Sequence, residues 1–176
     1  MTFSKAATTS APPLLEVPTQ LWVNLVAHLR QQSGGVRESG AFLLGNEGPS
    51  TRVTTDFLPY EQLQADALHD DYVSLSATSF STLWSLCRTR NLRVVADIHT
   101  HRFSARQSLS DRTNPMVAIP GHVALILPNF AQSASHLADA NLYEYQGNHG
   151  WSSFSGSDVG RMLRLTEDGS EQYARR

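Results

Sequence analysis

The sequence is short of several things. One cysteine among 176 residues leaves no disulfide within the chain and excludes a four-cysteine zinc site. Neither sign of charge dominates, since 14 Lys+Arg against 16 Asp+Glu give a net charge of only -2. So even a balance argues against duplex DNA or an anionic membrane surface as partner. No apolar run approaches the roughly 20 residues needed to cross a bilayer. Residues 1–13 have no continuous apolar core of the kind a signal peptide carries. A reducing cytoplasm is therefore the expected setting, with chemistry resting on groups other than thiols. What is present suits one compact domain: 40% hydrophobic and 17% charged residues, with enough length to bury a core.

Three parts are expected: a flexible lead-in at 1–13 rich in Ser, Thr, Ala and Pro, a single domain over 14–165, and a polar tail at 166–176. A helix is expected over 18–32, where Leu21, Trp22, Leu25, Val26 and Leu29 form one apolar stripe ended by Gly34-Gly35. Strands are expected at 39–45 and 51–57, paired as a hairpin across Gly48-Pro49. The acidic stretch 59–71 reads as a loop or short irregular helix. A short strand is expected at 72–75. A helix over 79–90 follows, capped by Ser76 or Thr78, with Phe80, Leu83, Trp84 and Cys87 on its buried face. Further strands are expected at 92–98, 122–127 and 142–145, and 158–165 reads as helix or strand. Such interleaving points to a mixed α/β sandwich or open barrel.

The informative stretch is Asp97-Ile98-His99-Thr100-His101, followed by Ser108-Leu109-Ser110-Asp111. At a strand end, residues two apart leave the same face, with Cα atoms about 6.6 Å apart. His99 and His101 can therefore converge on one ion, which on a helix they could not. A catalytic zinc usually has three protein ligands and an open position, and Asp111 is well placed as the third. Ser-x-x-Asp is equally the start of a capped helix. Other metal patterns are absent. There is no His-Glu-x-x-His, Cys87 has no partner for a deaminase site, no glutamate follows the His pair as in a cupin, and the chain is too short for an amidohydrolase barrel.

With these parts in order, the chain resembles the prokaryotic branch of the JAMM (MPN+) metalloproteases. The resemblance rests on Glu38-Ser39-Gly40-Ala41-Phe42-Leu43-Leu44-Gly45, similar to a Glu-x-Gly-Gly-x-Leu-x-Gly pattern, then His99-Thr100-His101, then Ser108-Leu109-Ser110-Asp111. Asn114-Pro115-Met116 and the segment from Gly121 to Pro128 add to it, and it spans roughly residues 17–150. The chain departs from the pattern in a loop one residue shorter between His101 and Ser108. Arg102 stands where a proline is common, and Ala41 replaces the second glycine.

The resemblance implies an MPN (JAB) domain, a mixed sheet curved into a partial barrel flanked by helices. A zinc site would lie at a strand end and the adjacent short helix. His99, His101 and Asp111 would hold Zn2+, Glu38 would act as general base, and Ser108, with Ser110 as the near alternative, would stabilise the oxyanion. The implied activity is cleavage after the C-terminal Gly-Gly of a ubiquitin-like protein, in deconjugation or precursor maturation. The setting implied is a bacterial ubiquitin-like conjugation system, with antiviral defence as one use of it, whose activating-enzyme-like and conjugating-enzyme-like proteins would be partners. A processing protease for a sulfur-carrier protein and a non-catalytic MPN scaffold are the alternatives.

Other residues read more plainly. Cys87, Trp22 and Trp84 are expected in the core. His28, His69, His136 and His149 are expected at exposed positions. His122 reads as a strand histidine or a group behind the site, and Asp97 as a partner for a metal-bound imidazole or for an arginine. The 61–71 stretch reads as a solvated loop or part of a modifier-binding surface.

Overall fold

A computed structural model describes residues 14–133 and 136–167. The segment 1–13, expected to be a flexible lead-in, and most of the expected tail lie outside them. In chain order the strands are β1 (Leu15–Pro18), β2 (Gly40–Glu47), β3 (Arg52–Pro59), β4 (Arg93–Thr100), β5 (Val123–Leu127), β6 (Asn141–Gly147), β7 (Gly150–Phe154) and β8 (Leu163–Thr166). The helices are α1 (Thr19–Ser33), α2 (Tyr60–Leu63), α3 (Ala77–Arg90), α4 (Leu109–Thr113) and α5 (Val159–Met162). All eight strands form one curled, mixed sheet in the order β7-β6-β5-β4-β2-β3-β1-β8, flanked by helices.

α1 forms because Trp22, Leu25, Val26 and Leu29 recur at helical spacing, and all four are buried. Each such burial contributes about 1.5–3 kcal/mol before chain entropy is counted. The helix stops at Gly34, whose left-handed conformation (φ 55°) lets its N–H donate to the Arg30 carbonyl. α1 covers one face of the sheet, against Leu43, Ala96, Ile98, Leu125 and Leu142. The opposite face carries a second cluster built from Phe42, Leu58, Tyr60, Leu68, Leu83 and Cys87, under α2 and α3. Ser76 caps α3, its Oγ accepting from the Ser79 N–H.

Several expectations need correction. β1 and β7 were not foreseen. The stretch 158–165 is both helix and strand, α5 then β8, and β8 runs to Thr166. The strand expected at 72–75 amounts to a single bridge, Val73 to Leu68. Trp84 is not in the core. It is 37% exposed, because the apolar stripe of α3 is wider than the surface it covers. His28 is half-buried and bonded to Glu61 at 2.7 Å, tying α1 to α2. Among the described residues, no helix is long and apolar enough to cross a membrane.

Candidate metal centre

β4 is the spine of the site. It lies between β2, antiparallel, with Gly40 opposite His99, and β5, parallel, with Ile126 opposite His99. Side chains alternate along it, so Asp97 and His99 face away from α1 while Ile98 and Thr100 face the other way. His101 lies just past the strand end but stays in register: its N–H donates to the Leu127 carbonyl, and its own carbonyl accepts from Phe130. The two imidazole Nε2 atoms are 3.0 Å apart.

Glu38 arrives from the other side of β2. Its backbone N–H donates to the His69 carbonyl, and the next residue, Ser39, is locked to Thr100 and to the Leu29 carbonyl. The side chain is only 7% exposed, with Oε1 4.0 Å from His101 Nε2. Gly40 is required here by close approach. A Cβ would lie 2.3 Å from the Tyr60 ring and 2.8 Å from the Ile98 carbonyl. Gly45, at a bulge between β2 and β3, has the same reason, since a Cβ would fall 1.9 Å from the Val53 carbonyl. Ala41 points into the core under α1, where a methyl packs normally.

Asp111 is brought in by α4. Ser108 and Asp111 form a reciprocal capping box. The Asp111 N–H donates to Ser108 Oγ, and the Ser108 N–H donates to Asp111 Oδ2 at 2.6 Å. The capping reading of Ser-x-x-Asp is therefore correct, and it fixes the aspartate's rotamer. Its oxygens lie 3.4 Å from His99 Nε2 and 3.2 Å from His101 Nε2. The preceding loop is pinned by Tyr143, whose hydroxyl donates to the Ala105 carbonyl, and by the Arg102 guanidinium 5.8 Å from the centre of the Phe130 ring. Arg102, at the position where a proline is common, thus anchors the loop by stacking.

All the sequence-derived site residues come together. Ligand atoms of Glu38, His99 and His101 lie within 4.8 Å of one another, a group able to hold a metal ion. The donors fit zinc. Four ligands at 2.0–2.1 Å in a tetrahedron stand roughly 3.3 Å apart, and the His99, His101 and Asp111 atoms are separated by 3.0, 3.2 and 3.4 Å. Glu38, at 4.0 Å, sits just outside that triangle.

The electrostatics agree. Burial above all, with the nearby charges of Asp111 and Asp71, pushes the Glu38 carboxyl above its ordinary value, against the opposing pull of His101 and His99. Burial also resists ionisation of Asp111, but the N–H groups of His101 and His99 outweigh it and hold that carboxyl well below the usual range. For His99, burial disfavours the cation, while the hydrogen bond and charge of Asp111, with Asp97 and Glu38 behind, raise it. Two carboxylates of opposite tendency on one pair of imidazoles suit one as a ligand and the other as a proton acceptor.

The site opens into a groove of about 290 Å3. His99, Ser108, Ser110 and Asp111 line it with polar atoms, and Tyr72, Leu75, Phe80, Met116 and Trp151 with apolar ones. Asp71, from the acidic stretch, also lines it, while the rest of that stretch has no contact with the site in the groove lining. Sequence reasoning misread Asp97. It bonds neither a metal-facing imidazole nor an arginine but His122, at 2.6 Å, and both are buried. His122 also lines a second cavity of about 850 Å3, with Arg52, Trp84, Arg88 and Arg93, at the opposite end of β4. The reading of His122 as a group behind the site fits this placement.

No protein-family model matches the chain. A solution structure of a Desulfitobacterium hafniense protein is similar over 88% of this chain and 94% of its own, at 17% identity and a TM-score of 0.66. A solution structure of a Salinibacter ruber protein is similar over 89% of this chain and 93% of its own, at 14% identity and a TM-score of 0.57. At these identities the likeness is one of fold.

Proposed function

We propose that the chain is a JAMM-type (MPN) zinc metalloprotease that cleaves after the C-terminal Gly-Gly of a ubiquitin-like protein, deconjugating it or maturing its precursor. One observation carries the reading: Glu38, His99, His101 and Asp111, from three separate segments, present their donor atoms within 3.0–4.0 Å contacts at the head of one groove. A zinc ion there would supply Lewis acidity and lower the pKa of a coordinated water to about 7.

The chain's own groups do the rest. Glu38, made a stronger proton acceptor by burial, accepts the proton of the attacking water and returns it to the leaving amine. Ser108 uses an Oγ lone pair on the Asp111 N–H, which leaves its O–H free to donate to the developing oxyanion. Ser110 lines the same groove as the alternative donor. No covalent intermediate with the protein is needed. The groove is lined by both polar and apolar groups, which suits an extended tail lying along it.

The test is metal analysis of the purified protein together with cleavage of Gly-Gly-linked fusions. Zinc near one equivalent is expected, with cleavage abolished by Glu38→Ala and His101→Ala. Wild-type rates in both variants would overturn the reading. Modifier and sulfur-carrier fusions tested side by side separate the two processing roles. A zinc-free, inactive protein would point to a scaffold.

A further inference from the structure

The second cavity, of about 850 Å3, has no part in the chemistry above. It lies at the start of β4, where Arg93 in its wall is six strand residues, about 20 Å, from His99. The two cavities differ in charge. Asp71, Asp97 and Asp111 line the groove at the metal centre, with no lysine or arginine among its lining residues. Arg52, Arg88 and Arg93 line the second, against one carboxylate, Glu47. The whole chain carries -2, so this local excess of positive charge does not follow from composition.

The three arginines are not equivalent. Arg52 is a strut, its guanidinium donating to the carbonyls of Gly121 at 2.8 Å and Val95 at 3.4 Å. Glu47 lies 3.9 Å from Arg52 and 3.2 Å from Arg93, so two cations share one carboxylate. Arg88 is held by Ser85 Oγ at 2.9 Å. Both Arg88 and Arg93 are exposed and keep donors for a ligand. One turn before Arg88, on the same side of α3, stands Trp84. Its ring is steadied by Phe80, with centroids 6.5 Å apart and planes at 27°, and it remains 37% exposed at the cavity wall. Asn46 and Asn91 add amide donors and acceptors to the same wall.

A guanidinium fork matches phosphate oxygens, and an exposed indole matches the flat face of a base. The volume falls within the roughly 300–1,000 Å3 of small-molecule sites. We propose that this cavity binds a nucleotide, its phosphates held by Arg88 and Arg93 and its base laid on Trp84. The asparagine amides then meet the edge of the base. An acidic peptide would satisfy the arginines but has no need of the exposed ring. The site is independent of the metal reading.

The experiment is calorimetric titration of the whole protein with ATP, adenosine, inorganic tripolyphosphate and hexaglutamate. ATP should bind at least about tenfold more tightly than adenosine, which lacks the anion, or tripolyphosphate, which lacks the base. Arg88→Gln and Arg93→Gln should each weaken ATP by about tenfold. Trp84→Ala should weaken it by about tenfold, while Trp84→Phe, which keeps a flat ring, should recover most of the loss. Two controls should bind as wild type does. Arg90→Gln removes an exposed arginine of the same helix, paired with Asp56 at 3.0 Å and outside the cavity lining. His101→Ala removes a metal-centre ligand, to which phosphates could otherwise attach. Absence of ATP binding at millimolar concentration would overturn the proposal. So would an equal loss in Arg90→Gln, which means bulk charge, or a loss in His101→Ala, which means the metal centre. Tripolyphosphate equal to ATP, with Trp84→Ala silent, would reduce the cavity to an anion site and overturn the nucleotide. Hexaglutamate binding in place of ATP would assign it to an acidic peptide instead.

Discussion

The two faces of the sheet are buried to similar depth and differ in what they bury. Under α1 the cluster is wholly apolar, and the buried polar groups there are hydroxyls, Ser33, Ser39 and Thr100, each bonded to the backbone or to one another. On the other face, beside the Ser79 hydroxyl, the buried polar groups include four ionisable ones: Glu38, Asp97, His99 and His122. A hydroxyl satisfied by a carbonyl is nearly neutral in cost, whereas a buried charge costs several kcal/mol unless paired. One face is therefore expected to supply stability and the other to spend some of it on chemistry.

The sharpest way to break this contrast is Glu38→Gln. Cleavage should fall by about 10²–10⁴, as for loss of a general base, while the melting temperature holds or rises because a buried carboxyl has been neutralised. A variant that lost stability instead would make Glu38 structural. Next is Leu29→Ala, on the α1 face, fully buried in wild type. Denaturant unfolding should show a loss of about 2–5 kcal/mol, with zinc affinity of the folded protein unchanged.

A pH series sharpens the same comparison. His99 is raised from its ordinary 6.5, so its contribution to the metal-free protein is complete below that value and is lost as pH rises through the higher folded value. Asp111 is lowered from 3.8, so its contribution is complete above that value and is lost only as pH falls through the folded one. The metal-free site therefore stabilises most between about pH 4 and 6.5. Zinc needs the ring unprotonated, so its affinity should rise from pH 6 to pH 8. Adding chelator should accordingly lower the melting temperature more at pH 8 than at pH 6, and the reverse order would contradict the geometry. The smallest effect is on stability in Ser108→Ala, about 1 kcal/mol from the lost cap, with a further loss of cleavage if its hydroxyl is the oxyanion donor.

The site was largely legible because its parts are local and periodic. His99 and His101 are two apart at the end of a clearly patterned strand, and Ser108 to Asp111 is a capping motif whose geometry is short-range. The helix α1 and strands β2 to β6 were legible for the same reason. What escaped depends on distant pairing. β1 is four residues long and is a strand because Leu15–Pro18 lies between β3 and β8. β7 exists as the edge partner of β6, through a turn with Asn148 and His149 at positive φ that no Gly or Pro pair announced. The Asp97–His122 bond spans 25 residues and two strands, and the exposure of Trp84 depends on what the rest of the fold sets over α3.

The pairing of β1 with β8 has a mechanical side. The two strands are parallel neighbours, with Leu15 beside Leu163 and Pro18 beside Thr166. Tension entering ahead of Leu15 and leaving beyond Thr166 would pull them along their length in opposite directions. The bonds between them would then share the load and fail together rather than peel one at a time. A domain stretched between two tethers would resist until that seam sheared, and the strand carrying His99, three places inward from β1, would be among the parts sheltered behind it.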